Sequence, residues 1–454
     1  MRRLCAVALL GTVALVPMGC RHVDAGGMGP RDRAMAHLAS RQYDQALPYL
    51  EELHRASPAD LEIARALAEA HVRSHRAESF LARLERSVQP GADDEGRPPA
   101  VTLYLLGLTR FAGPGQADRA IADFEQAVAL SPNASEFVYR LGIALLESEQ
   151  YERALPSLRR AAELSPERSD VLLPLAKALS RTGDRKGAVA VLNRFVRSEP
   201  SREDVATARA LMEGIADPFA RFPQSSKAKL EEGIVWLHER DVPQQAIISF
   251  EEILRDYPDI GVVHALLGLC YQRIDDAGRA VDEFKRAIEL SSEDGRNHLY
   301  LALLYQARQR PEQAAPHLER ALELNPMLDE AWFHLGDRHL ERGELEKAAE
   351  AFRVVSRLQP DAVAARGKYA LVLQMQGDFA AADRELRSVV ERQPENLEFL
   401  LRLGLLHFER RKQAQTPETR EQATLEAETW LRKVLTLQPE NAVASRALEA
   451  LRSR

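Results

Sequence analysis

The 454-residue chain has little of what usually carries chemistry: three cysteines, 6% aromatic residues and no excess of positive charge. Cysteines at 5, 20 and 270 cannot build a disulfide framework or a thiol-rich metal or redox site. With 61 Lys and Arg against 68 Asp and Glu, and no long basic block, there is no electrostatic footprint for nucleic acid. HExxH, paired CxxC, a glycine-lysine phosphate loop and GxSxG do not occur. The twelve histidines are scattered. His264 and His298, 34 apart, hold equivalent places on adjacent helices and could approach each other, which repetition explains better than a metal site. Cys270 reads as a buried, inert thiol, because no basic neighbour is evident. Charged pairs such as Glu283 and Lys285 read as solvating charges rather than paired acid/base groups. These absences predict no enzyme, no cofactor and no metal. What is present is 45% hydrophobic and 28% charged, with net charge −7, which excludes disorder. The length predicts two or three domains or one extended array.

The N-terminus stands apart. Met1-Arg2-Arg3 precedes an apolar run from Leu4 to Val16, too short for the roughly 20 residues a transmembrane helix needs. Residues 1–19 look like a secretory signal peptide, and Gly19-Cys20 resembles the bacterial lipoprotein cleavage box, with Pro17 where an aliphatic residue is usual. That resemblance implies a lipidated Cys20; ordinary cleavage and release, or an uncleaved anchor, are the alternatives. Loss of Arg2 and Arg3 would take the net charge from −7 to −9. Arg21, rather than Asp, after the cysteine implies an outer-membrane lipoprotein facing the periplasm. Residues 20–30 read as a glycine-rich tether.

A proline clock organises the remainder. Pro132, Pro166 and Pro200 are spaced by 34, as are Pro326, Pro360 and Pro394; Pro58, Pro258 and Pro439 join them, and Ser292 stands where one proline is missing. Twelve residues before each comes an alanine: Ala46, Ala120, Ala154, Ala188, Ala246, Ala280, Ala314, Ala348, Ala382 and Ala427. Four residues later stands Leu or Phe, and three further on another apolar residue, which is one face of a helix. An earlier helix carries a Leu-Gly pair in register, as in Leu141-Gly142, Leu267-Gly268, Leu335-Gly336 and Leu403-Gly404. Gly183, Gly343 and Gly377 fall between the paired helices, where positive φ is often required. Pro48, Pro156 and Pro316, two residues after the alanine, predict a position near the helix start and a kink.

This pattern resembles the tetratricopeptide repeat, a 34-residue helix-turn-helix unit, over residues 31–454. The resemblance implies an all-α, right-handed superhelical solenoid of about ten to eleven repeats. Two sub-arrays are expected: 31–216, closed by a capping helix from Ser201, and 226–454, closed by Ala442 to Leu451, with 217–225 as the linker. Residues 61–88 fit only a degraded repeat, and 89–100 a proline-rich loop. Eleven extra residues between Phe408 and Ala427 read as a solvated extension or, less simply, a partner contact.

In this repeat family ligand contacts come from the first helices, which line the concave face. Carried over in register, these are Tyr139, Ile143, Leu146, Leu173, Lys177, Leu269, Gln272, Leu303, Gln306, Phe333, Asp337, Leu340, Leu371, Gln374, Leu405 and Phe408. Most are apolar, and only Lys177 resembles the clamp of chaperone-tail binders. Such a groove suits an amphipathic helix or an extended apolar segment of a protein partner, unless the side chains are spent on packing. The expected function is a non-enzymatic scaffold, touching the membrane only through its lipid anchor, in envelope assembly or secretion, pilotin-like or assembly-factor-like. The alternative is a regulatory or recruiting subunit of an envelope polysaccharide or cell-wall enzyme.

Overall fold

The computed structural model describes residues 29–88, 100–166, 168–219 and 222–452. The signal segment, Cys20 and most of the tether and of the 89–100 loop lie outside the described residues. Among those described are 24 α-helices and no strand, the all-α repeat solenoid that the spacing predicts.

Contacts divide the chain into two compact units, one ending at Val191 and one beginning at Leu192. In the first, α1 (Pro30–Ala39) pairs with α2 (Tyr43–Ala56), α3 (Leu61–Arg73) with α4 (Ala77–Ser87), α5 (Ala100–Ala112) with α6 (Ala117–Leu130) and α7 (Ser135–Glu147) with α8 (Tyr151–Leu164). Helix α9 (Ser169–Arg181) leads to α10 (Arg185–Arg197), inside which the division falls. The second unit holds α11 (Arg202–Ile215) and then six pairs: α12 (Lys227–His238) with α13 (Pro243–Asp256), α14 (Gly261–Arg273) with α15 (Ala277–Leu290), α16 (Gly295–Ala307) with α17 (Pro311–Leu324), α18 (Asp329–Glu341) with α19 (Leu345–Leu358), α20 (Val363–Met375) with α21 (Phe379–Arg392), and α22 (Leu397–Gln413) with α23 (Pro417–Leu437). Helix α24 (Ala442–Arg452) closes it, burying Ala444, Ala447, Leu448 and Leu451 on the last repeat.

Small residues set the spacing within each pair. Every repeat alanine, from Ala46 to Ala427, is fully buried, and so is the Leu or Phe four residues on, apart from Leu386 at 3% exposure. The Leu-Gly signature has a direct cause: a Cβ on Gly268 would stand 2.5 Å from the Phe284 ring, and on Gly142 2.7 Å from the Leu158 side chain. No methyl fits there, so the two helix backbones close on the large side chain.

The turns are uniform too. Five residues before the alanine the backbone is left-handed, at Arg41, Gly115, Glu149, Gly183, Asp241, Asp275, Gln309, Gly343 and Gly377. At these turns the N–H one residue later typically reaches back five positions, as from Arg310 to the Tyr305 carbonyl (2.9 Å), a Schellman closure. His75 is left-handed at the same point of the α3–α4 turn, and buried Phe80 stands where an alanine is expected. Residues 61–88 are therefore a complete repeat in geometry, degraded only in sequence.

One expectation is corrected, and two stretches depart from the regular repeat. Helix α11, which follows Pro200, falls in the second unit, where its Arg209 meets Asp329 at 3.4 Å. Pro48, Pro156 and Pro316 are the sixth residues of α2, α8 and α17, past the first turn, on exposed faces of helices that continue through them. The eleven extra residues lengthen α22 to 17 residues and α23 to 21, with a Thr416–Thr419 capping box at the turn.

Candidate functional site

The first helices repeat along each unit, so the same register positions recur side by side. Their burial differs between the units. In the first, Tyr139, Ile143 and Leu146 are buried, at 9%, 7% and 5% exposure, and are spent on packing. Leu173 is half-buried and Lys177 exposed. An ionic cluster occupies this stretch instead. Glu136 accepts from Arg140 Nε and Arg168, both at 2.8 Å, and from the Tyr104 hydroxyl at 3.1 Å. Burial pushes the Glu136 carboxyl up, but the two guanidinium groups outweigh it and hold it below the ordinary range. The Arg168 guanidinium lies 4.5 Å from the Tyr139 ring centroid, and burial, the largest cause, pushes that phenol up to about 12. Glu147 is raised by burial, with Lys177 pulling the other way.

The second unit presents the more open face. Leu269 and Gln272 line a hollow of about 320 Å³ together with Leu237, His238 and Arg273. Leu303 and Gln306 are half-buried in the next repeat, and the Gln306 Oε1 is buried without a hydrogen-bond partner. Phe333 packs edge-on against Phe352, with centroids 5.8 Å apart, and Leu340 joins the same cluster. Asp337 is paired with Lys368, whose ammonium sits 4.8 Å from the Phe333 centroid. Leu371 is 39% exposed, Gln374 is half-buried beside it, and Met375 is 53% exposed. Leu405 and Phe408 are half-buried on the last repeat's core, with Lys412 4.6 Å from the Phe408 centroid.

Lys368 and Met375 were absent from the expected set, as were Leu237 and His238. Fixed register offsets skip Lys368 and Met375 by one residue, and the hollow arises from the neighbouring first helix, which lacks a recognisable Leu-Gly pair. A larger open cleft of about 610 Å³ lies between the lengthened α22 and α23, lined by Arg411, Thr416, Arg420 and the exposed Leu425 among others.

His264 and His298 each pair within their own repeat rather than with each other. His264 Nδ1 lies 2.6 Å from a Glu283 oxygen and its Nε2 2.9 Å from the Pro258 carbonyl; His298 Nδ1 lies 3.0 Å from His317 Nδ1. Neither His264 nor Glu283 is a free surface group. Cys270 is fully buried, and burial pushes its thiol up to about 12, so it is inert at neutral pH. Among the described residues no helix is long and apolar enough to cross a membrane.

Two tetratricopeptide repeat models match the chain, one over residues 37–97 and 145–212, the other over 110–169, 299–363 and 368–442, together more than half its length. No curated protein matches it. Solved structures that resemble it include YrrB, described as a tetratricopeptide protein with an unusual peptide-binding site, at 18% identity and TM-score 0.39, covering 44% of this chain and 97% of that one. Another is pilF of Pseudomonas aeruginosa, at 18% identity and TM-score 0.40, covering 50% and 98%. PilW, a type IV pilus biogenesis factor, has 17% identity and TM-score 0.37, covering 50% and 99%. With the family models matching more than half of the chain and the uniform helix-pair geometry, the chain belongs to the tetratricopeptide-repeat family, a scaffold suited to protein–protein interaction.

Proposed function

We propose that this protein is a non-enzymatic scaffold that holds a protein partner on the first-helix face of its second unit, while a lipidated Cys20 anchors it to the outer membrane, facing the periplasm, during envelope assembly or secretion. One observation carries the binding reading: the apolar side chains of Leu371 and Met375 stand 39% and 53% exposed in the middle of a face otherwise made of half-buried Leu269, Leu303, Leu405 and Phe408. Large apolar groups left in water cost roughly 25 cal/mol per Å², and a partner's apolar segment would recover that. Gln272, Gln306 and Gln374 recur along the same face and supply amide hydrogen bonds to an amphipathic helix or an extended segment. The anchor rests on the Gly19-Cys20 sequence alone.

The test is a crosslinking pull-down from membranes with Leu371→Glu plus Met375→Glu. Phe333 and Leu340 are unsuitable for it, since both pack on the Phe352 cluster and their loss would disturb the repeat itself. Loss of one protein from the captured set supports the reading. Retention of the same set by a folded variant removes this face as the binding surface. For the anchor, Cys20→Ala should move the protein from the membrane fraction to the soluble periplasm.

A further inference from the structure

Helix α11 runs along one edge of the second unit, where second helices end and the next first helices begin. Its contacts step regularly backwards through the repeats. Arg202 meets Asp361 at 3.2 Å, Arg209 meets Asp329 at 3.4 Å, and the carbonyl of Ala216 accepts from Arg296 at 2.9 Å. Beyond α11, the Ser225 and Tyr257 hydroxyls lie 3.0 Å apart. Those partners sit in, or in the first helical residues just after, four successive inter-repeat turns. Seven residues of helix advance about 10 Å at 1.5 Å per residue, close to the width of one helix layer, so each step along α11 finds the next turn.

The bonds are mostly arginines closing the open carbonyl ends of helices, in both directions. Arg357, at the end of α19, donates to the carbonyls of Arg197 (2.8 Å) and Ser198, which end α10. Arg209 of α11 reaches the Leu358 carbonyl at the end of α19 (3.4 Å), and Arg296 takes the carbonyl that follows α11. Helix C-termini carry unsatisfied carbonyls and partial negative charge, so a guanidinium there is doubly favoured. Arg197 adds an ion pair to Glu350 at 2.8 Å and lies 5.5 Å from the Trp332 ring centroid. Only Val205, Ala208 and Met212 of α11 are buried, one narrow stripe. A helix of 14 residues is marginal alone. Docking therefore holds it.

We propose that α11 is a strap that fixes the pitch of the repeats it crosses, and so the curvature of the first-helix face from Leu269 to Leu371. Each repeat otherwise touches only its neighbours, so small rotations at each interface would add up along the array. The strap binds several of them at once. Its outermost ion pair is exposed, with Arg202 and Asp361 at 64% and 80%, so salt weakens that end. No partner is needed for this device, and it stands or falls independently of the groove reading.

The experiment uses the full chain with Cys5→Ser and Cys20→Ser; Cys270 is buried and unreactive. Spin labels at Glu239→Cys and Gln376→Cys, both exposed, report the distance across the strapped repeats. Arg209→Ala, Arg296→Ala and Arg357→Ala are combined, and amide exchange is followed in 202–215. The expected result is exchange about tenfold faster or more in α11 together with a broadened label distance, at unchanged helicity elsewhere. Freed α11 with an unchanged distance distribution overturns the proposal, and so does an α11 that stays protected. If the combined variant loses helicity throughout, Arg209→Ala alone is measured in the same way and is held to the same outcomes.

Discussion

Gln309 sits at φ 57° in the α16–α17 turn, where Gly343 and Gly377 hold the same place at 72° and 85° in later repeats. A left-handed conformation costs a residue with a Cβ roughly 1–2 kcal/mol, part of which glycine returns through the entropy of its unfolded chain. Gln309→Gly should therefore raise stability by about 0.5–1 kcal/mol, and Gly343→Ala should lower it by a similar amount through strain alone, because no atom lies within 4 Å of the added Cβ. Urea melts followed by helicity, compared variant by variant, check both signs. The tight-packed glycines behave differently. At Gly268 the new methyl would stand 2.5 Å from the Phe284 ring, so Gly268→Ala should cost about 1–3 kcal/mol by overpacking. Gly214, in α11 with open space around it, is the control: Gly214→Ala should be neutral or stabilising by up to ~1 kcal/mol. Equal effects at 214 and 268 would mean that helix propensity, not contact, decides.

At the scale of elements, the second helices that contain Pro48, Pro156 and Pro316 pose the sharpest conflict between propensity and fold. Each proline is the sixth residue, so it removes a bond to the carbonyl four residues earlier, such as that of Glu312 for Pro316. All three point outward, where packing gives nothing back. Pro316→Ala should stabilise the array by about 1–3 kcal/mol and slow amide exchange in α17; no gain would show that the helix has relaxed around the ring at no cost. Helix pairs and their register were readable because the 34-residue clock repeats a spacing that close packing enforces, with a fully buried alanine at ten of its positions. The α3–α4 repeat was obscured because Phe80 fills the alanine place, though His75 makes the same turn. The site was less readable. Tyr139 and Ile143 share register with Phe333 and Asp337, yet whether a side chain is free depends on long residues of the next repeat, such as Arg168, which stacks on Tyr139. The edge path of α11 had no periodic signal at all, since its partners lie 80 to 159 residues ahead.

Over the whole molecule, the same partial burial that closes the repeats also sets its response to acid. His71 and His298 are held down to about 4, in both cases chiefly by burial, aided by Arg83 at the first and by His317 at the second. His54, His317 and His334 are also lowered, again first by burial. A histidine depressed in the fold contributes stability that is present above the unfolded value near 6.5 and lost as pH falls toward its folded value. His264 works in the opposite sense. Burial lowers it, but its bonds to Glu283 and the Pro258 carbonyl outweigh that and raise it, so its contribution is present in acid and lost as pH rises through the raised value. Among the histidines, five oppose one. The carboxyls of Glu69, Asp123 and Glu147, raised by burial, act with His264 in acid, but the large depressions of His71 and His298 decide the sign. The melting temperature should fall as pH is taken from 7 to 4.5, while the paired carboxylates Glu51 and Glu136 keep their charge until the lower end of that window. Solvent reaches the half-buried His298, so its share is on the order of 1 kcal/mol after screening, or ~2–4 °C for a cooperative block of a couple of hundred residues. His298→Gln removes that share and should flatten the slope of melting temperature against pH between 6.5 and 4.5. A slope identical to that of the unaltered chain would mean that His298 takes up its proton without cost to the fold, and the close approach of His298 to His317 would then have to be shared by a bound proton rather than by two neutral rings.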